Sequence, residues 1–503
     1  MSDIILSTLN ARYIHSAMGL RYLKANMNEL EDETHILEFI LDTRPIDIVE
    51  KILAQQPKIV GFGVYIWNIE QTTQAVGMLK QVAPDITIVL GGPNVSFEQE
   101  KQAITQYADY IITGNADVRF YEFCREFLDG TLPAQKIMSS LPVPLEQIQL
   151  PYRLYSDEDI ANRVIYVEAS RGCPFKCEFC LSSLDKTAKP FAAEVFFQEM
   201  ETLYQRGVRH FKFVDRTFNL NVTASIRILE FFLERMDDQL FLHFEVIPDR
   251  LPEKLKAALV KFPPGSLQFE IGVQSLNPDV QTLISRKQDN DKSAENIAWI
   301  QTHTHAHIHA DLIAGLPSED IHSFARGFNT LAAMKPHEIQ LGILKRLPGT
   351  PIIRHTEQYK MVYSPFPPYS VLSTAAIDFA TMQRINRFAR YWDMIANSGR
   401  FASSIAIVLG DSPFERFMQL ADWLFKTTQQ THKISLKRLF DIVYQGLTEE
   451  LAVPAQIAEQ TLWQDFQKAS LKGMPDFMRN EKDRHKTKIE RVSSIATRQN
   501  RHN

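Results

Sequence analysis

Apolar residues recur along this chain with two different periods, and the two periods alternate through its first quarter. Up to about residue 128, short apolar runs are separated by segments whose apolar positions recur every three to four residues. Successive side chains of a strand point to opposite faces, and a helix returns to one face about every 3.6 residues, so the patterns predict strands and helices in turn. The predicted strands are Ile4–Leu6, His35–Phe39, Ile59–Val64, Ile86–Leu90 and Tyr110–Ile112, and the predicted helices are Gly19–Met27, Ile46–Ala54, Ile69–Val82 and Val118–Phe127.

Strands that alternate with helices predict an α/β fold, here a Rossmann-like, doubly wound parallel sheet over residues 1–135. The ligand of such a sheet lies at the carboxyl ends of its strands. Glycine lets a backbone adopt positive φ or approach a flat ligand closely, although a plain flavodoxin-like turn also uses glycine. The residues at these strand ends are Gly61, Gly63 and Val64, then Gly91, Gly92, Pro93 and Asn94, then Gly114.

A second alternation follows a proline-rich linker over residues 136–160. It predicts a partial (β/α)6 barrel of the TIM type over residues 161–352, with its active face at the carboxyl ends of the strands. The predicted barrel strands are Val164–Glu168, His210–Val214, Phe241–Val246, Leu267–Ile271, His307–Leu312 and Glu338–Leu341.

The last part of the chain is predicted to be a mainly helical domain over residues 353–478. Amphipathic patterns predict helices at Ala375–Asn397, Ser412–Thr427 and Leu436–Leu447. Residues 479–503 are basic and poor in apolar side chains, which predicts a solvated, disordered tail. Basic side chains bind phosphates without regard to sequence, so a nucleic-acid partner is left open only at this tail.

The bulk composition fits a globular protein of two or three domains. The chain has 503 residues, of which 45% are hydrophobic and 23% are charged, and its formal net charge of −5 gives no general attraction to nucleic acid or anionic membranes. It contains no run of 18 apolar residues that would predict a membrane span, and its start does not resemble a signal peptide. Three of its four cysteines lie close together in one segment, which leaves no even set of cysteines for a disulfide framework. The expected location is therefore the cytoplasm.

Three of the four cysteines lie within eight residues, as Cys173, Cys177 and Cys180. Three thiolates are too few to complete a tetrahedral zinc site unless a histidine or carboxylate joins them. They also leave one iron of a [4Fe–4S] cluster without a protein ligand, so that this iron is open to a substrate or cofactor. A zinc knuckle and a set of redox thiols are the alternatives.

Polar residues fall at the carboxyl ends of the predicted barrel strands, where the cysteine loop also lies. Any one of them alone is explained as a cap or a surface residue, but together they surround one end of the barrel. In order of strands two to five, these residues are Asp215, Glu245, Gln274 and Asp311.

The segment from Glu168 to Cys180 resembles the cluster motif of the radical S-adenosylmethionine (SAM) superfamily. The shared features are the spacing of the cysteines, the preceding Arg171-Gly172 and the aromatic Phe179 before the last cysteine. The resemblance implies that the amino and carboxylate groups of SAM chelate the open iron, and that an electron from the cluster cleaves SAM to a 5′-deoxyadenosyl radical. The first domain resembles cobalamin-binding domains, which implies a class B enzyme with an uncharacterised C-terminal helical domain.

This resemblance also assigns residues to cofactors, while no catalytic residue is identified. It implies that Glu245 holds the methionine part of SAM, that Gln274 and Asp311 lie at the ribose, and that Arg286 pairs with the carboxylate. His15 departs from the cobalt-binding motif of the best-known cobalamin domains, because no Asp precedes it by two positions, and a loop role is predicted for it. The implied cluster ligands are Cys173, Cys177 and Cys180; the implied SAM-binding residues are Phe179, Asp215, Glu245, Gln274, Arg286 and Asp311; and the implied cobalamin-binding residues are Gly61, Gly63, Val64, Gly91, Gly92, Pro93, Asn94 and Gly114.

The activity implied by the resemblance is methylation of an unactivated carbon or phosphorus of a small-molecule substrate through methylcobalamin. A reductant such as flavodoxin or ferredoxin would supply the electron. Two alternatives are left open: a cobalamin-using oxidative cyclase or rearrangement enzyme, similar to anaerobic tetrapyrrole cyclases, and a regulatory protein that senses cobalamin or redox state. A methylthiotransferase is disfavoured, because those enzymes carry an N-terminal cluster domain and Cys124 is the only cysteine outside the motif.

Overall fold

The structure, a computed structural model, describes residues 3–478. The basic tail and the nucleic-acid contact predicted for it lie outside these residues. The chain divides into two compact units. The first contains the residues up to Ser318 together with Ile343–Ala375, and the second contains Glu319–Gly342 together with the residues from Ala376 onward.

Within residues 3–478, the first unit opens with a parallel sheet of six strands in the order 2-1-3-4-5-6. The predicted doubly wound sheet is confirmed. Strands one and three are neighbours, so the strand order reverses between them, and the crevice for a ligand is expected at this switch point. The strands are Ile4–Asn10, Thr34–Ile40, Ile59–Gly63, Thr87–Gly91, Tyr110–Thr113 and Ile137–Ser139.

The sixth strand, Ile137–Ser139, lies in the segment that the sequence analysis assigned to a linker. It pairs in parallel with Tyr110–Thr113. The strand has three residues, of which Met138 alone is buried, so it carries too little alternation to be recognised from the sequence.

Helices cover both faces of this sheet, which explains why its central strands are buried almost throughout. All seven residues of Ile4–Asn10 are buried. Ile5 packs in the core on one face and Ile4 in the core on the other, as expected for a parallel strand between two layers of helices. The helices of this part are Met18–Ala25, Pro45–Leu53, Ile69–Val82 and Arg119–Leu128.

The second sheet of the first unit is also parallel. Buried and half-buried residues alternate along Leu267–Gln274 and His307–Ala314, and every residue of the buried face is apolar. Its strands are Ile165–Val167, His210–Phe213, Phe241–Val246, Leu267–Gln274 and His307–Ala314, and the helices beside them are Asp157–Asn162, Ala193–Gln205, Val222–Leu233, Glu253–Leu259, Pro278–Leu283 and Asn290–His303. The sixth predicted barrel strand is present as Glu338–Ile343, which lies in the second unit except for its last residue.

The second unit is mainly helical, as predicted. Its core contains edge-to-face contacts of Phe328 with Phe388 and Trp392, at centroid distances of 5.3 and 4.8 Å. The helix Ala455–Lys468 was missed by the sequence analysis. No helix among residues 3–478 is long and apolar enough to cross a membrane. The helices of this unit are Ile321–Ala333, Phe379–Trp392, Ile405–Leu409, Pro413–Thr428, Leu436–Gln445 and Ala455–Lys468.

Candidate functional site

The three cysteines of the motif line one cavity of about 250 Å³ in the first unit. The cavity lies at the carboxyl ends of the second sheet, where the sequence predicted the active face. Five of the six predicted SAM residues line it with the thiols. The side chains on its wall are Cys173, Cys177, Cys180, Phe179, Glu245, Gln274, Arg286 and Asp311, joined by Arg216, Glu270 and Lys287.

The conformation of the cysteine loop depends on Gly172, the residue before Cys173. Gly172 has φ of +97°, and a Cβ there would collide with the carbonyl oxygen of Thr187. Gly172 and Thr187 approach each other closely because Ser170–Arg171 and Lys189–Pro190 pair as two short antiparallel strands. Glycine is therefore required before Cys173 for conformation and for space.

The donor set of this loop fits an iron–sulfur cluster. Burial raises the pKa of the Cys173 and Cys177 thiols, and the Arg286 guanidinium opposes the shift at Cys177. In the described part of the chain, no three His, Cys, Asp or Glu side chains surround a single-ion position. A [4Fe–4S] cluster does not need that arrangement, because each thiolate binds a different iron.

Arg286 lies at the junction between the thiols and the fourth barrel strand. Its Nη1 donates to Cys177 Sγ at 3.5 Å, and its Nη2 donates to the carbonyl of Gly272. Its Nε donates to Gln288 Oε1 at 3.0 Å. The planar guanidinium is thus held at the cavity wall beside a cluster thiol, in a position suited to a carboxylate ligand.

Gln274 lies on the cavity wall because its strand is irregular. The strand runs to Gln274 rather than ending at Ile271, and its register with the fifth strand shifts between Gly272 and Gln274. Gln274 has φ of +68°, in the left-handed region that non-glycine residues seldom adopt. A Cβ at Gly272 would collide with the Gln274 side chain, so the glycine of this motif makes room for the glutamine.

Among the charged residues of this wall that the resemblance did not assign to SAM, Arg216 and Glu270 form ion pairs. Arg216 donates to Glu245 Oε1 at 2.9 Å, and the pair faces the thiols. Glu270 lies within 3.1 Å of His243 Nε2 and 3.5 Å of Lys212 Nζ. The hydrogen bond from His243 lowers the pKa of Glu270 to about 2, so Glu270 is ionised. Burial raises the pKa of Glu245 and of Asp311.

Asp215 lies behind this wall and not on it. It is 4% exposed, and it accepts hydrogen bonds from Ala169 N at 2.9 Å and Ser170 Oγ at 2.6 Å. Burial raises its pKa to about 7. These contacts fix the start of the cysteine loop, which gives Asp215 a structural role there, and the SAM contact implied for Asp215 stays a prediction.

Asn219 acts in a similar way on the loop after the third barrel strand. Its Nδ2 donates to the carbonyl of Ile247 at 2.8 Å, and Ile247 N donates back to its Oδ1 at 2.8 Å. Ile247 and Pro248 line the cavity. Asn219 therefore positions the wall beside Glu245.

The glycines of the first sheet line a crevice of about 260 Å³ at its switch point. Gly92 has φ of +103°, and a Cβ there would lie 2.6 Å from the carbonyl oxygen of Val64. A Cβ at Gly61 would lie 3.0 Å from the ring of Phe120. Because these positions are glycines, no side chains project from them into the crevice. The open space that results suits a bulky, flat ligand. The predicted residues on the wall are Gly61, Gly63, Gly91, Gly92 and Gly114.

The other three predicted cobalamin residues lie elsewhere. Pro93 lines a neighbouring cavity of about 590 Å³, which shares Gly92 and Gly114 with the crevice. Val64 is fully buried behind the glycine loop, where its N donates to the carbonyl of Gly91 at 2.8 Å. Asn94 is 2% exposed, and its Nδ2 donates to Gln102 at 3.2 Å. Val64 and Asn94 hold the loop and do not line either cavity.

His15 lies away from the crevice wall, with its Nδ1 2.7 Å from the hydroxyl of Tyr166. The crevice contains instead a residue of the cysteine motif, Arg171, which donates to Asp117 at 2.9 Å and to Glu168 at 2.6 Å. In the sequence, Arg171 is recognisable only as part of the cluster motif. Because Arg171 is two residues before Cys173, the crevice and the cysteine cavity share one loop.

Three family models match successive parts of the chain. The B12 binding domain model matches residues 5–123, and the Radical SAM superfamily model matches residues 167–330. A third model, described as a protein of unknown function (DUF4080), matches residues 357–503. The first two matches contain the glycine-lined sheet and the loop of three cysteines.

Known proteins resemble the chain at low identity. The cobalamin-dependent radical SAM methyltransferase TokK of Streptomyces tokunonensis is 25% identical over 354 residues, which are 60% of this chain and 49% of TokK. An uncharacterized methyltransferase of Pyrococcus horikoshii is 26% identical over 238 residues, which are 42% of this chain and 51% of that protein. The chain therefore spans about half the length of these curated relatives.

Among solved structures, the cobalamin-dependent SAM radical enzyme OxsB with aqua-cobalamin bound has a TM-score of 0.62 and 14% identity to this chain. The match covers 94% of this chain and 82% of OxsB. At that identity, the likeness is one of fold.

Proposed function

We propose that this chain, which belongs to the radical SAM superfamily and carries a B12-binding domain, is a cobalamin-dependent methyltransferase. Its cofactors are a [4Fe–4S] cluster, SAM and cobalamin. Its substrate is a small molecule that is methylated at an unactivated carbon or phosphorus, and a flavodoxin or ferredoxin supplies the electron. The TokK and Pyrococcus horikoshii relatives are both named methyltransferases, which favours methyl transfer over cyclisation or rearrangement.

One observation carries the proposal. Three thiols and five polar or aromatic side chains of SAM-binding type line one cavity, while the glycine ends of a doubly wound sheet line a crevice in the same unit. Arg171 lies on the wall of the crevice, two residues before the first thiol. The radical site and the methyl-carrier site would therefore be neighbours, as a transfer between them requires.

The roles of the residues follow from their chemistry. Cys173, Cys177 and Cys180 would bind three irons as thiolates. Arg286 would pair with the SAM carboxylate through its fork of N–H donors. Glu245 would accept hydrogen bonds from the SAM amino group, in place of the one it accepts from Arg216. When bound, the cofactors supply the electron that cleaves SAM and the methyl group that reaches the substrate.

Gln274 and Asp311 would orient the ribose from neighbouring strands. Their strands pair in parallel, so both side chains reach the cavity from the same edge of the sheet. Gly61, Gly63, Gly91, Gly92 and Gly114 would hold cobalamin along the crevice wall.

The proposal is tested by anaerobic reconstitution of the full chain with iron, sulfide and hydroxocobalamin. The protein is then incubated with SAM and a strong reductant, and the products are identified by mass spectrometry. We expect both 5′-deoxyadenosine and S-adenosylhomocysteine, because one SAM molecule is cleaved to the radical and another donates its methyl group. The variant with all three cysteines replaced by alanine is expected to bind no cluster and to form no 5′-deoxyadenosine.

The other outcomes distinguish the alternatives. Formation of 5′-deoxyadenosine without S-adenosylhomocysteine would favour a cyclase or rearrangement enzyme. Absence of both products from a protein with an intact cluster would favour a sensor. Iron absorbance retained by the triple cysteine variant would refute the cluster assignment.

A further inference from the structure

We propose that Glu178 is a positioning residue, which ties the cysteine loop to the turn carrying Arg286 and so sets the distance between the cluster and the carboxylate of SAM. The inference rests on the proposed cluster and SAM sites. Glu178 follows Cys177 and precedes Cys180 by two residues, so any displacement of its backbone moves two cluster ligands.

The Glu178 carboxylate is buried, and each of its oxygens has a side-chain partner. Its side chain is 3% exposed. Ser285 Oγ donates to its Oε1 at 2.6 Å, His355 Nε2 lies 2.9 Å from its Oε2, and Arg354 donates to Oε1 as well. A carboxylate is kept inside a protein only where partners of this kind offset its loss of hydration.

The contact with Ser285 fixes the turn that carries Arg286. Ser285 has φ of +55°, a conformation that a non-glycine residue keeps only when its surroundings impose it. Its hydroxyl is held by the Glu178 carboxylate, and Glu178 N donates to the carbonyl of Ile284 at 3.0 Å. Arg286 in turn contacts Cys177 Sγ, so the loop and the turn are joined on both sides of Ser285.

A third segment closes the network from outside the cavity. The helical turn Pro351–His355 supplies Arg354 and His355, and Ile352 N donates to the carbonyl of Glu178 at 3.0 Å. This turn lies between the Radical SAM match, which ends at residue 330, and the DUF4080 match, which begins at residue 357. Neither family match contains it.

Loss of the contact between Glu178 and Ser285 is expected to change the position of Arg286 and not the charge at the cluster. Without its acceptor, the Ser285 side chain no longer joins the turn to the cysteine loop. The turn keeps its backbone hydrogen bonds, from Ser285 N to the Thr282 carbonyl at 3.2 Å and from Arg286 N to the Gln281 carbonyl at 2.8 Å. The turn is then expected to shift and to move Arg286 away from the SAM carboxylate, while the three cysteines still bind iron. We therefore expect variants that break this network to bind SAM more weakly and to retain the cluster.

The test uses Glu178→Gln and the pair Ser285→Ala and Ser285→Gly in the full chain, reconstituted anaerobically with iron and sulfide. Iron and sulfide per chain, the electron paramagnetic resonance spectrum of the reduced cluster with and without SAM, and the thermal midpoint of the apo chain are measured. We expect Glu178→Gln to retain iron and to weaken the SAM-induced spectral change about tenfold in SAM concentration. Ser285→Ala and Ser285→Gly should both show this defect, because both lack the hydroxyl that donates to Glu178. Since glycine adopts positive φ without strain, Ser285→Gly separates loss of the contact from backbone strain.

The control is Glu253→Gln, a glutamate whose side chain is 88% exposed. It is expected to leave every readout unchanged. Loss of thermal stability in Glu178→Gln and Ser285→Ala with an unaltered SAM response would overturn the positioning role, as would a SAM response of Ser285→Gly equal to that of the parent. If Glu178→Gln does not fold, the serine pair still decides the question. A parent protein whose cluster spectrum ignores SAM would refute the proposed function itself, and this inference with it.

Discussion

Arg286 is the residue at which the sequence motif and the tertiary contacts meet. The family resemblance implies that Arg286 pairs with a carboxylate, and the structure adds its contacts with Cys177 Sγ and the Gly272 carbonyl. These contacts come from a loop and a strand about 110 and 14 residues away in the chain. A single side chain is thus oriented by two parts of the sheet end before any ligand binds, which reduces the cost of ordering it on binding.

We expect Arg286→Ala to weaken SAM binding to the reconstituted protein by about 2 kcal/mol, or about 30-fold, because a charge-assisted, bidentate contact is lost. Arg286→Lys should recover only part of this loss, because an ammonium lacks the planar fork. Equilibrium binding of SAM under anaerobic conditions measures both changes. Arg44→Ala is the control, since the Arg44 side chain is 76% exposed and does not line the cavity. An affinity of Arg286→Ala equal to that of the parent would remove Arg286 from the carboxylate site.

At the scale of elements, irregular backbone places the site residues. The bulge that brings Gln274 to the cavity and the glycine turn after Thr87–Gly91 both occur where a strand ends. The sequence predicted the strands, since their apolar positions are continuous or alternate. It did not predict the bulge or the strand Ile137–Ser139, because those depend on pairing with residues far away in the chain.

Gly92→Ala is expected to abolish cobalamin binding and to destabilise the first sheet, because the new Cβ would lie 2.6 Å from the Val64 carbonyl oxygen. The control is Gly130→Ala. Gly130 also has positive φ, at +79°, but a Cβ there meets no atom within 4 Å. Gly130→Ala should therefore cost only the conformational strain, about 1 kcal/mol, and should leave cobalamin binding intact.

Cobalamin bound after reconstitution is measured by absorbance, and stability is measured by thermal unfolding. Equal cobalamin binding by Gly92→Ala and Gly130→Ala would contradict the assignment of this crevice. A greater loss of stability in Gly130→Ala would contradict the close approach at Gly92.

At the scale of the whole molecule, a buried ion cluster joins the two sheets of the first unit. Arg21 Nη2 lies 2.9 Å from Glu38 and 2.8 Å from Asp159, and Arg163 lies 2.8 Å from Glu38. Arg21 and Glu38 belong to the first sheet layer, whereas Asp159 and Arg163 come from the segment that leads into the barrel. The arrangement fixes the glycine-lined sheet relative to the cysteine loop that follows.

Stability in acid is expected to depend on this cluster. Burial opposes ionisation of Glu38 and Asp159, but the charge and hydrogen bonds of Arg21 outweigh it, so the pKa of each carboxyl is lowered. As the pH falls, these carboxyl groups therefore take up protons in the unfolded chain before they do so in the folded chain. The stabilisation is present above the ordinary carboxyl range, at about pH 4 to 4.5, and is lost as the pH falls through the folded pKa values.

Arg21→Met should lower the free energy of unfolding at neutral pH by about 3 kcal/mol, because it leaves buried carboxylates short of a partner. It should also flatten the dependence of stability on pH below about 4.5. Denaturant unfolding across this pH range measures both effects. Arg44→Met is the control: its pair with Asp47 is exposed to solvent and should contribute little to stability. A loss in Arg21→Met no greater than in Arg44→Met would show that the cluster does not stabilise the unit.

The sequence by itself determined the parallel-sheet class, the mainly helical C-terminal part and the cluster motif. Each depends on local periodicity or on residues within a few positions of one another, as with Cys173, Cys177 and Cys180. Tertiary structure alone decided that Asp215 supports the cysteine loop, that Arg216 and Glu270 join the cavity wall, and that Glu178 meets Ser285 and His355. Those outcomes depend on which strand ends lie side by side, and spacing along the chain does not encode that adjacency.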